Sequence, residues 1–460
     1  MIPPKPQARP ERVSLWRYLR LFRQDILSAQ PERLYRARMA EFRTPFFRSY
    51  LVNEPDLIRT VLNDRPSDFP KSDRVGEGLR PLLGQSVFLT NGETWAHQRR
   101  IIDPAFERGR LRESFPAMLA AGRAAANRLE PGPLDMEPET SHTAADVIFR
   151  TLFSLPIEAP VAHEVFEQFR AYQARQPILN LAAFLPLPRW APRGYGRAAR
   201  KSAARIRGLI AGLVAGRLAE IEAGTAPPDL ATRILTLRDP ETGEGFSAEE
   251  MVDQVAIFFL AGHETSASAL AWALWLLAAN PAAQGRAAAE ARALGDAPDF
   301  GDLSKLGFTR NVFREALRLY PPVPMMVRAA TQAETFRGRD VSPGAQVVIS
   351  PWHMHRHERH WTEPDAFDPE RFETDHGKAS QRDAYLPFSS GPRVCPGAGF
   401  AMAEGVLLLA LYLQRWEFRE VQGRRPIPRA HLTVRSRTGI WLEAIPRESC
   451  VGAVQKMDLP

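Results

Sequence analysis

One cysteine in this 460-residue sequence stands where a thiol could do chemistry. Cys395 lies in a stretch punctuated by glycine and proline, and an apolar pattern with helical spacing begins at Phe400. The stretch therefore predicts a loop that delivers the thiol to the start of a helix. Because unpaired N–H groups and the helix dipole at that end favour a thiolate, we expect Cys395 to be an activated nucleophile or a metal ligand.

Three roles for Cys395 are open on these grounds alone. A lone cysteine is most often a small buried core residue. A catalytic nucleophile would need a histidine close by, and this loop contains none. The third role is a thiolate ligand to haem iron. It is favoured by glycines that let backbone approach a flat macrocycle, by Arg393 as a partner for a carboxylate, and by Phe388 as a shield for the sulfur.

The spacing of these residues resembles the haem-binding signature of the cytochrome P-450 superfamily. The matching pattern is Phe388-x-x-Gly391-x-Arg393-x-Cys395-x-Gly397. The resemblance implies a mainly α-helical single domain with a small β region, in which haem b lies between a long central helix and the cysteine loop. It also implies that Cys395 is the axial ligand of the iron, and that Phe388, Arg393 and Gly397 help to bind the cofactor.

A long apolar helix is predicted upstream, and its centre is polar. Ser247 and Glu250 form a capping box, and helical spacing continues until Pro281, which gives about 33 residues, or about 50 Å. At the middle, residues 261–266 place a glycine, an ionisable pair and two hydroxyls among apolar neighbours. Such groups destabilise an apolar helix unless they have partners or a function. A polar patch satisfied by neighbouring helices is the structural alternative.

The centre of this helix resembles the oxygen-activation motif of the same family, Ala-Gly-x-(Asp/Glu)-Thr. The resemblance implies that Ala261 and Gly262 contact the haem, that Glu264 relays protons, and that Thr265 holds the proton that oxygen activation consumes. We expect Gly262 to let a ligand approach the backbone, and the Thr265 hydroxyl to bond the Ala261 carbonyl and loosen the helix. His263 is expected to be a structural contact.

Arginines at three separate places could hold the carboxylates of a porphyrin. Trp95 and Arg99 are one turn apart on a predicted helix, where an indole packed over an exposed arginine stem is the simpler interpretation. The resemblance implies instead that this helix binds a haem propionate, together with Arg328 and Arg393.

Glu315 and Arg318 form a Glu-x-x-Arg pair on another predicted helix, and Arg371 follows downstream. Pairs of this kind are commonly surface salt bridges. The resemblance implies that these three residues form a buried structural network behind the cysteine loop. Removing one member would leave buried charges unpaired, which typically costs about 3–5 kcal/mol.

The resemblance also assigns a substrate pocket, although ordinary core packing would explain the same apolar side chains. The apolar stretch 166–190 is a substrate lid in the family, and an ordinary helix contact is an equal alternative on spacing alone. Residues 432–443 predict a hairpin whose tip could touch substrate. The resemblance implies that Val323 and Met325 face substrate, and the expected apolar pocket consists of Leu82, Phe259, Val323 and Met325.

Length and composition limit the classes of protein to which this chain can belong. A net charge of +7, from 60 Lys+Arg and 53 Asp+Glu, is mild for this length and argues against nucleic-acid binding. Two cysteines exclude a disulfide framework and fit a reducing cytoplasm. No run of about 18 apolar residues occurs, so we expect no membrane anchor, as in bacterial soluble members of the family. We expect one domain over residues 1–460, flexible tails at 1–15 and 447–460, and a cytoplasmic monomer.

The reaction implied by the resemblance is monooxygenation. One atom of O2 would enter an apolar substrate, such as a fatty acid, a terpenoid or a steroid-like molecule, and the other would become water. Two alternatives are a peroxide-driven haem peroxygenase, which the intact Glu264–Thr265 pair disfavours, and a non-catalytic haem-thiolate sensor, for whose regulatory module the chain has no room.

The two electrons are expected to come from a separate protein. The sequence shows no flavin or iron–sulfur segment, so the expected donor is an iron–sulfur ferredoxin with a ferredoxin reductase. An acidic ferredoxin could dock on a basic cluster, although a solvated basic face is the simpler interpretation. The cluster consists of Arg100, Arg108, Arg110 and Arg112.

Overall fold

The structure is a computed structural model that describes residues 1–43, 48–175 and 197–447. Most of these residues are helical. The helices are Leu15–Gln24 (α1), Pro55–Arg59 (α2), Asp73–Gly76 (α3), Arg80–Leu83 (α4), Gly92–Ala105 (α5), Arg108–Arg128 (α6), Met136–Phe153 (α7), Pro160–Arg175 (α8), Arg197–Glu222 (α9), Leu230–Thr236 (α10), Ala248–Ala278 (α11), Pro281–Ala293 (α12), Gly307–Leu319 (α13), Pro351–Met354 (α14), Asp375–Ala384 (α15) and Ala398–Arg415 (α16).

Short strands form small sheets beside these helices. The strands are Met39–Arg43 (β1), Arg48–Val52 (β2), Gly132–Asp135 (β3), Met326–Ala329 (β4), Glu334–Phe336 (β5), Arg339–Val341 (β6), Gln346–Ile349 (β7), Trp416–Glu420 (β8), Pro428–Ala430 (β9), Val434–Ser436 (β10) and Trp441–Pro446 (β11). One sheet has the order β1-β2-β7-β4, in which β2 and β7 are parallel. The predicted class, mainly helical with a small β region, is confirmed.

Helix α11 crosses the interior and confirms the predicted long buried helix. Its 31 residues span about 46 Å at 1.5 Å per residue. The predicted capping box is present: Ser247 accepts from the N–H of Glu250, and the Glu250 carboxylate accepts from the N–H of Ser247 at 2.9 Å. Near the other end, Trp272 is fully buried and stacks on Tyr320 with ring centroids 3.8 Å apart.

Helices α7, α9, α13 and α16 pack around α11. The main hydrophobic cluster of the described residues reaches from Leu27 to Ala444, so segments that are far apart in sequence share one core. Helix α16, which follows the cysteine loop, contributes a run of buried residues from Val406 to Leu413. The cysteine loop is thereby anchored to the same core as α11.

Two expectations about the chain termini need correction. The predicted hairpin at 432–443 does not form, because β10 pairs with β9, whereas β11 pairs with β3 and β8. Residues expected to form a flexible N-terminal tail make specific contacts instead: the Tyr320 hydroxyl donates to the Pro4 carbonyl at 2.8 Å, and Lys5 pairs with Asp365 at 2.6 Å.

Part of the expected substrate lid, residues 176–190, lies outside the described residues, and residues 166–175 belong to α8. The expected C-terminal tail is described only at its first residue, 447. Within the described ranges, no helix is both long and apolar enough to cross a lipid bilayer.

Candidate active site

Cys395 lies between a 3-10 turn at Gly391–Arg393 and the start of α16, as the sequence predicted. Its N–H donates to the carbonyl of Phe388 at 2.9 Å, which closes the loop. Gly391 has a φ of +70°, and a Cβ there would clash with the carbonyl of Leu62. This glycine is therefore required by the fold of the loop itself.

Gly397 has a different environment. A Cβ built at this position would meet only the sulfur of Cys395, at 3.9 Å, among the described atoms. Packing of the described protein atoms thus does not demand a glycine here.

The thiol of Cys395 is not activated by the polypeptide alone, which corrects the sequence-based expectation. The residue as a whole is exposed, yet the surrounding protein withdraws the sulfur from bulk water, and this burial raises the pKa of the thiol. A hydrogen bond from the Gly397 N–H and the charge of Arg99 act in the opposite direction but are smaller. A bound metal ion would add positive charge next to the sulfur and favour the thiolate.

Positive side chains gather beside the cysteine loop. The guanidinium of Arg393 lies 4.1 Å from the ring centroid of Trp95, and that of Arg99 lies 6.0 Å from it. Arg99 also donates to the carbonyl of Val394 at 2.7 Å, which ties α5 to the loop. The Trp95–Arg99 pair is thus a contact with the cysteine loop rather than a free surface pair.

Two further cations complete a group of four that we call the cationic cluster: Lys71, Arg99, Arg328 and Arg393. Burial, followed by the charges of the three arginines, holds the pKa of Lys71 well below its usual value. Burial lowers the pKa of Arg328 to about 10 and that of Arg393 to about 10, and neighbouring arginines add to both shifts. Lys71, whose ammonium donates to the Val87 carbonyl at 2.7 Å, was not identified from the sequence.

The cationic cluster lacks compensating negative charge. Within the described residues, only Arg99 pairs with a carboxylate, that of Asp103 at 2.7 Å. Buried cations without anions are strongly disfavoured, and each lowers the pKa of the next. A ligand with two carboxylates, such as a porphyrin with its propionates, would supply the missing charge. The residues present therefore fit haem.

The centre of α11 has an open face. Ala261 is exposed although Leu260 and His263 beside it are buried, so no side chain of the described residues covers this side of the helix. The Thr265 hydroxyl donates to the Ala261 carbonyl at 2.5 Å, as predicted. Ala261 and Thr265 are one turn apart and share the open face.

Glu264 is held by the segment at β9 and β10. Its Oε1 accepts from the Thr433 hydroxyl at 3.0 Å, and a guanidinium nitrogen of Arg435 lies 4.0 Å from the same oxygen. The carboxylate is thereby fixed in a largely buried position. The two residues that fix it were not identified from the sequence, since they are about 170 residues away in the chain.

His263 and Gly262 have packing roles. His263 is fully buried, its Nε2 lies 2.7 Å from the Ser141 hydroxyl, and burial lowers the pKa of the imidazole to about 3. The ring is therefore neutral at physiological pH, which fits the predicted structural contact. A Cβ at Gly262 would clash with Ile148 of α7. This glycine permits α7 to pack on α11. Its expected contact with a ligand stays a prediction.

A buried carboxyl that the sequence analysis did not single out links α16 to α11. Glu404 accepts from the Ser266 hydroxyl at 2.6 Å, and its other oxygen has no partner within the described residues. Burial raises the pKa of Glu404 to about 8, so the group is mostly neutral at pH 7. Its position nine residues after Cys395, in an otherwise apolar helix, was the signal available in the sequence.

The structure brings Glu315, Arg318 and Arg371 together in the interior. Arg318 donates to both carboxylate oxygens of Glu315 at 2.7 and 2.8 Å, and Arg371 donates to one of them at 3.0 Å. The three residues are 0%, 0% and 6% exposed. Arg318 also donates to the carbonyl of His355, whose ring accepts from the N–H of Leu386 just before the cysteine loop. The network thus supports that loop.

The four implied pocket residues divide into two pairs. Val323 is 38% exposed and Met325 is partly exposed, as residues beside a cleft should be. Leu82 and Phe259 are 0% and 2% exposed, so the structure places them in the core and not at a cleft. Phe259 faces α7 and α8, and its ring lies 4.7 Å from Phe149.

The expected basic docking cluster is partly neutralised. Arg100 pairs with Asp239, Glu93 and Glu241, and Arg110 pairs with Glu113. Arg112 is exposed and has no ion pair within the described residues, and the side chain of Arg108 lies outside them. Arg112 therefore stays a candidate contact for an acidic electron donor, whereas Arg100 does not.

Comparisons with known proteins agree with this geometry. The family model described as Cytochrome P450 matches residues 39–442. Cyclooctat-9-en-7-ol 5-monooxygenase of Streptomyces melanosporofaciens is 35% identical over 393 residues, which cover 84% of this chain and 83% of the relative. Cyclooctatin synthase of the same organism is 32% identical over 394 residues, with 84% of each chain covered. Cytochrome P450 4A11 of Homo sapiens is 31% identical over 414 residues, which cover 85% of this chain and 78% of the relative.

Proposed function

The chain belongs to the cytochrome P450 family, and from this premise we propose that it inserts one oxygen atom of O2 into an apolar organic substrate. Family membership makes haem b the cofactor and monooxygenation the reaction class. The single observation that carries the proposal for this chain is the cationic cluster beside Cys395, where four cations meet one carboxylate among the residues that the structure describes.

We propose that the sulfur of Cys395 would hold the haem iron and that the cationic cluster would bind the two propionates. Bound haem supplies the reductive cleavage of the O–O bond, which a thiolate ligand favours. Trp95 supports the cluster by stacking beneath Arg393. Phe388, which is partly buried against the main core, shields the sulfur from water.

Thr265 and Glu264 are proposed to transfer protons. Thr265 carries a proton at Oγ1, and the hydroxyl can deliver it only after turning away from the Ala261 carbonyl. Glu264 accepts a proton at Oε and passes it towards Thr265 after leaving the Thr433 hydroxyl. In this proposal, Thr433 and Arg435 set the resting position of the acid and do not touch substrate.

The substrate is proposed to be apolar, either a fatty acid, a terpenoid or a steroid-like molecule. Support comes from Val323 and Met325, whose accessible apolar side chains suit such a ligand. A relative named for the 5-monooxygenation of cyclooctat-9-en-7-ol makes unsaturated cyclic alcohols the first class to test.

Electrons are proposed to come from an iron–sulfur ferredoxin served by a ferredoxin reductase. An acidic donor would be attracted by the unpaired charge of Arg112 and by the partly compensated charge of Arg110. One domain and a cytoplasmic monomer remain predictions, which sedimentation and fractionation can test.

The proposal is tested with purified haem-loaded protein, a ferredoxin, its reductase and NADH under 18O2. A spin-state titration against cyclic alkenols, fatty acids and steroids first identifies a ligand. We expect that ligand to yield a product with one 18O atom, and we expect no product when the ferredoxin is omitted. Product that forms equally without donor but with hydrogen peroxide would replace monooxygenation by peroxygenation, and the absence of product from every bound ligand would refute catalysis.

A further inference from the structure

Asn91 is a polar residue beside the cationic cluster that the proposed function leaves unexplained. It precedes α5 in the N-cap position, where an asparagine side chain commonly accepts a hydrogen bond from the N–H two or three residues later. Within the described residues, Asn91 makes no such bond. Asn280 holds the same position before α12 and does accept from the N–H of Ala283, at 3.1 Å. The amide of Asn91 therefore serves a contact other than the cap of its helix.

That contact is with the backbone of Lys71. The side-chain oxygen of Asn91 accepts from the N–H of Lys71 at 3.0 Å, and the side-chain nitrogen donates to the carbonyl of Lys71 at 3.1 Å. An asparagine amide presents a donor and an acceptor side by side, as the backbone of a neighbouring strand would. Both backbone groups of Lys71 are thus held by one planar side chain.

The residues on either side of Lys71 pair with β4. The N–H of Ser72 donates to the carbonyl of Val327 at 3.3 Å, and the carbonyl of the residue before Lys71 accepts from the N–H of Ala329 at 3.0 Å. Lys71 and Arg328 therefore lie opposite each other in an antiparallel bridge. Because the flanking residues make its hydrogen bonds, this is a non-hydrogen-bonded pair, in which the Cα atoms approach to about 4.5 Å.

This register explains why the amide of Asn91 matters to the cationic cluster. The N–H and C=O of Lys71 point away from β4, since successive residues of a strand present their backbone groups to opposite sides. Asn91 occupies that far side, so the backbone of Lys71 is held between β4 and Asn91. The Lys71 and Arg328 side chains then lie side by side, and the Lys71 ammonium reaches the Val87 carbonyl at 2.7 Å.

We infer that Asn91 is a positioning residue of the cofactor site, which holds Lys71 where its ammonium can pair with a porphyrin carboxylate. The inference rests on the proposed binding of the propionates by the cationic cluster. The neighbours of Asn91 in sequence contact the same cluster: the carbonyl of Thr90 accepts from Arg393 at 3.4 Å, and α5, which begins one residue after Asn91, carries Arg99. Asn91 itself needs no contact with the cofactor.

The test measures the transfer of haem from the haem-loaded protein to apomyoglobin. N91A removes both bonds to Lys71 and leaves all four cations in place. We expect N91A to transfer haem several-fold faster than the parent and no faster than K71M, for which about 10–100-fold is expected. Because Asn91 acts through Lys71, the double variant N91A/K71M should transfer haem at the rate of K71M.

The matched control is N280A. It also removes an asparagine amide that bonds a backbone N–H, but Asn280 caps α12, which carries no residue of the cationic cluster. N280A should lower the free energy of unfolding in urea and still transfer haem at the parent rate. The control thus separates a general loss of stability from a loss of cofactor binding.

Hydrogen exchange of the haem-loaded variants gives a readout that does not depend on cofactor loss. Amides of residues 70–72 should exchange faster in N91A than in the parent, because the Lys71 N–H loses its acceptor. The same amides should exchange at the parent rate in N280A. Circular dichroism of each variant should match that of the parent.

The outcomes distinguish the inference from the proposed function. Effects on haem transfer that multiply in N91A/K71M would show that Asn91 acts independently of Lys71, and would overturn the inference while leaving the proposed cofactor site intact. Transfer by N91A at the parent rate, or unchanged exchange at residues 70–72, would overturn it as well. Transfer by K71M at the parent rate would refute the proposed role of Lys71 and the inference together.

Discussion

Replacement of Glu315 by glutamine gives the sharpest test of the internal charge network. The carboxylate of Glu315 accepts three bonds from Arg318 and Arg371 and a fourth from the N–H of Asp368 at 3.0 Å. E315Q keeps the shape of the side chain, but its amide nitrogen is a donor that faces guanidinium donors. Within the described residues, Arg318 then remains in the interior without a paired carboxylate, and Arg371 keeps only the charge of Asp368 nearby.

The expected loss of stability in E315Q follows from the burial of the charge network. Loss of one partner from a buried ion pair typically destabilises a protein by about 3–5 kcal/mol. Arg318 still donates to the carbonyls of Pro364 and Ala366, so its donors remain hydrogen-bonded while its charge is uncompensated. We therefore expect E315Q to lower the free energy of unfolding by about 3–5 kcal/mol.

The assay is urea unfolding of the haem-loaded protein, followed both by circular dichroism and by haem absorbance. Coincident transitions would justify a two-state treatment. The matched control is D56N, since Asp56 pairs with Arg59 at 2.7 Å on the surface and its side chain is 83% exposed. This control should change the free energy of unfolding by less than about 1 kcal/mol. A loss below about 1 kcal/mol in E315Q, equal to that of the control, would refute the reasoning.

Further predictions concern Glu404, Thr433 and Lys71. Because the pKa of Glu404 is about 8 in the folded protein and lower in the unfolded chain, the parent should lose stability as pH rises from about 5 to 8, on the order of a few kcal/mol. E404Q should lack this dependence in urea titrations, and identical pH profiles would contradict the assignment. T433V should release Glu264 and lower the ratio of product formed to NADH consumed, whereas T433S should restore it; unchanged coupling in T433V would exclude the positioning role. K71M removes a charged donor worth about 1.5–3 kcal/mol, so haem transfer to apomyoglobin should be about 10–100-fold faster. K305M changes an exposed lysine paired with Asp302 and should transfer haem like the parent; equal rates in K71M and K305M would remove Lys71 from the cofactor site.

Features encoded within a few residues of each other were predicted well. The capping box at Ser247 and the bond from Thr265 to the Ala261 carbonyl depend only on helical spacing, and both are present. The long buried helix α11 was predicted because its apolar residues surround the axis. Because apolar residues surround the axis of α11, their pattern does not indicate which side of the helix lines a pocket. Phe259 was therefore assigned to the pocket, although it packs on Phe149.

Features that depend on tertiary structure were missed or misjudged. Lys71 and Thr433 carry no local signal, because each reaches the site only through the path of the chain. The helix N-terminus alone suggested an activated Cys395, but burial outweighs it and raises the pKa of the thiol. Arg100 looked free in the sequence, yet Asp239, about 140 residues downstream, binds it at 2.8 Å.

The central claim is that the sulfur of Cys395 binds the haem iron. It is tested most directly by the absorption spectrum of the reduced carbon monoxide complex, measured on the parent and on C395H. The parent should show the red-shifted Soret band of a thiolate-ligated haem, and C395H should show a band at the shorter wavelength of an imidazole-ligated haem. A red-shifted band that persists in C395H would contradict it.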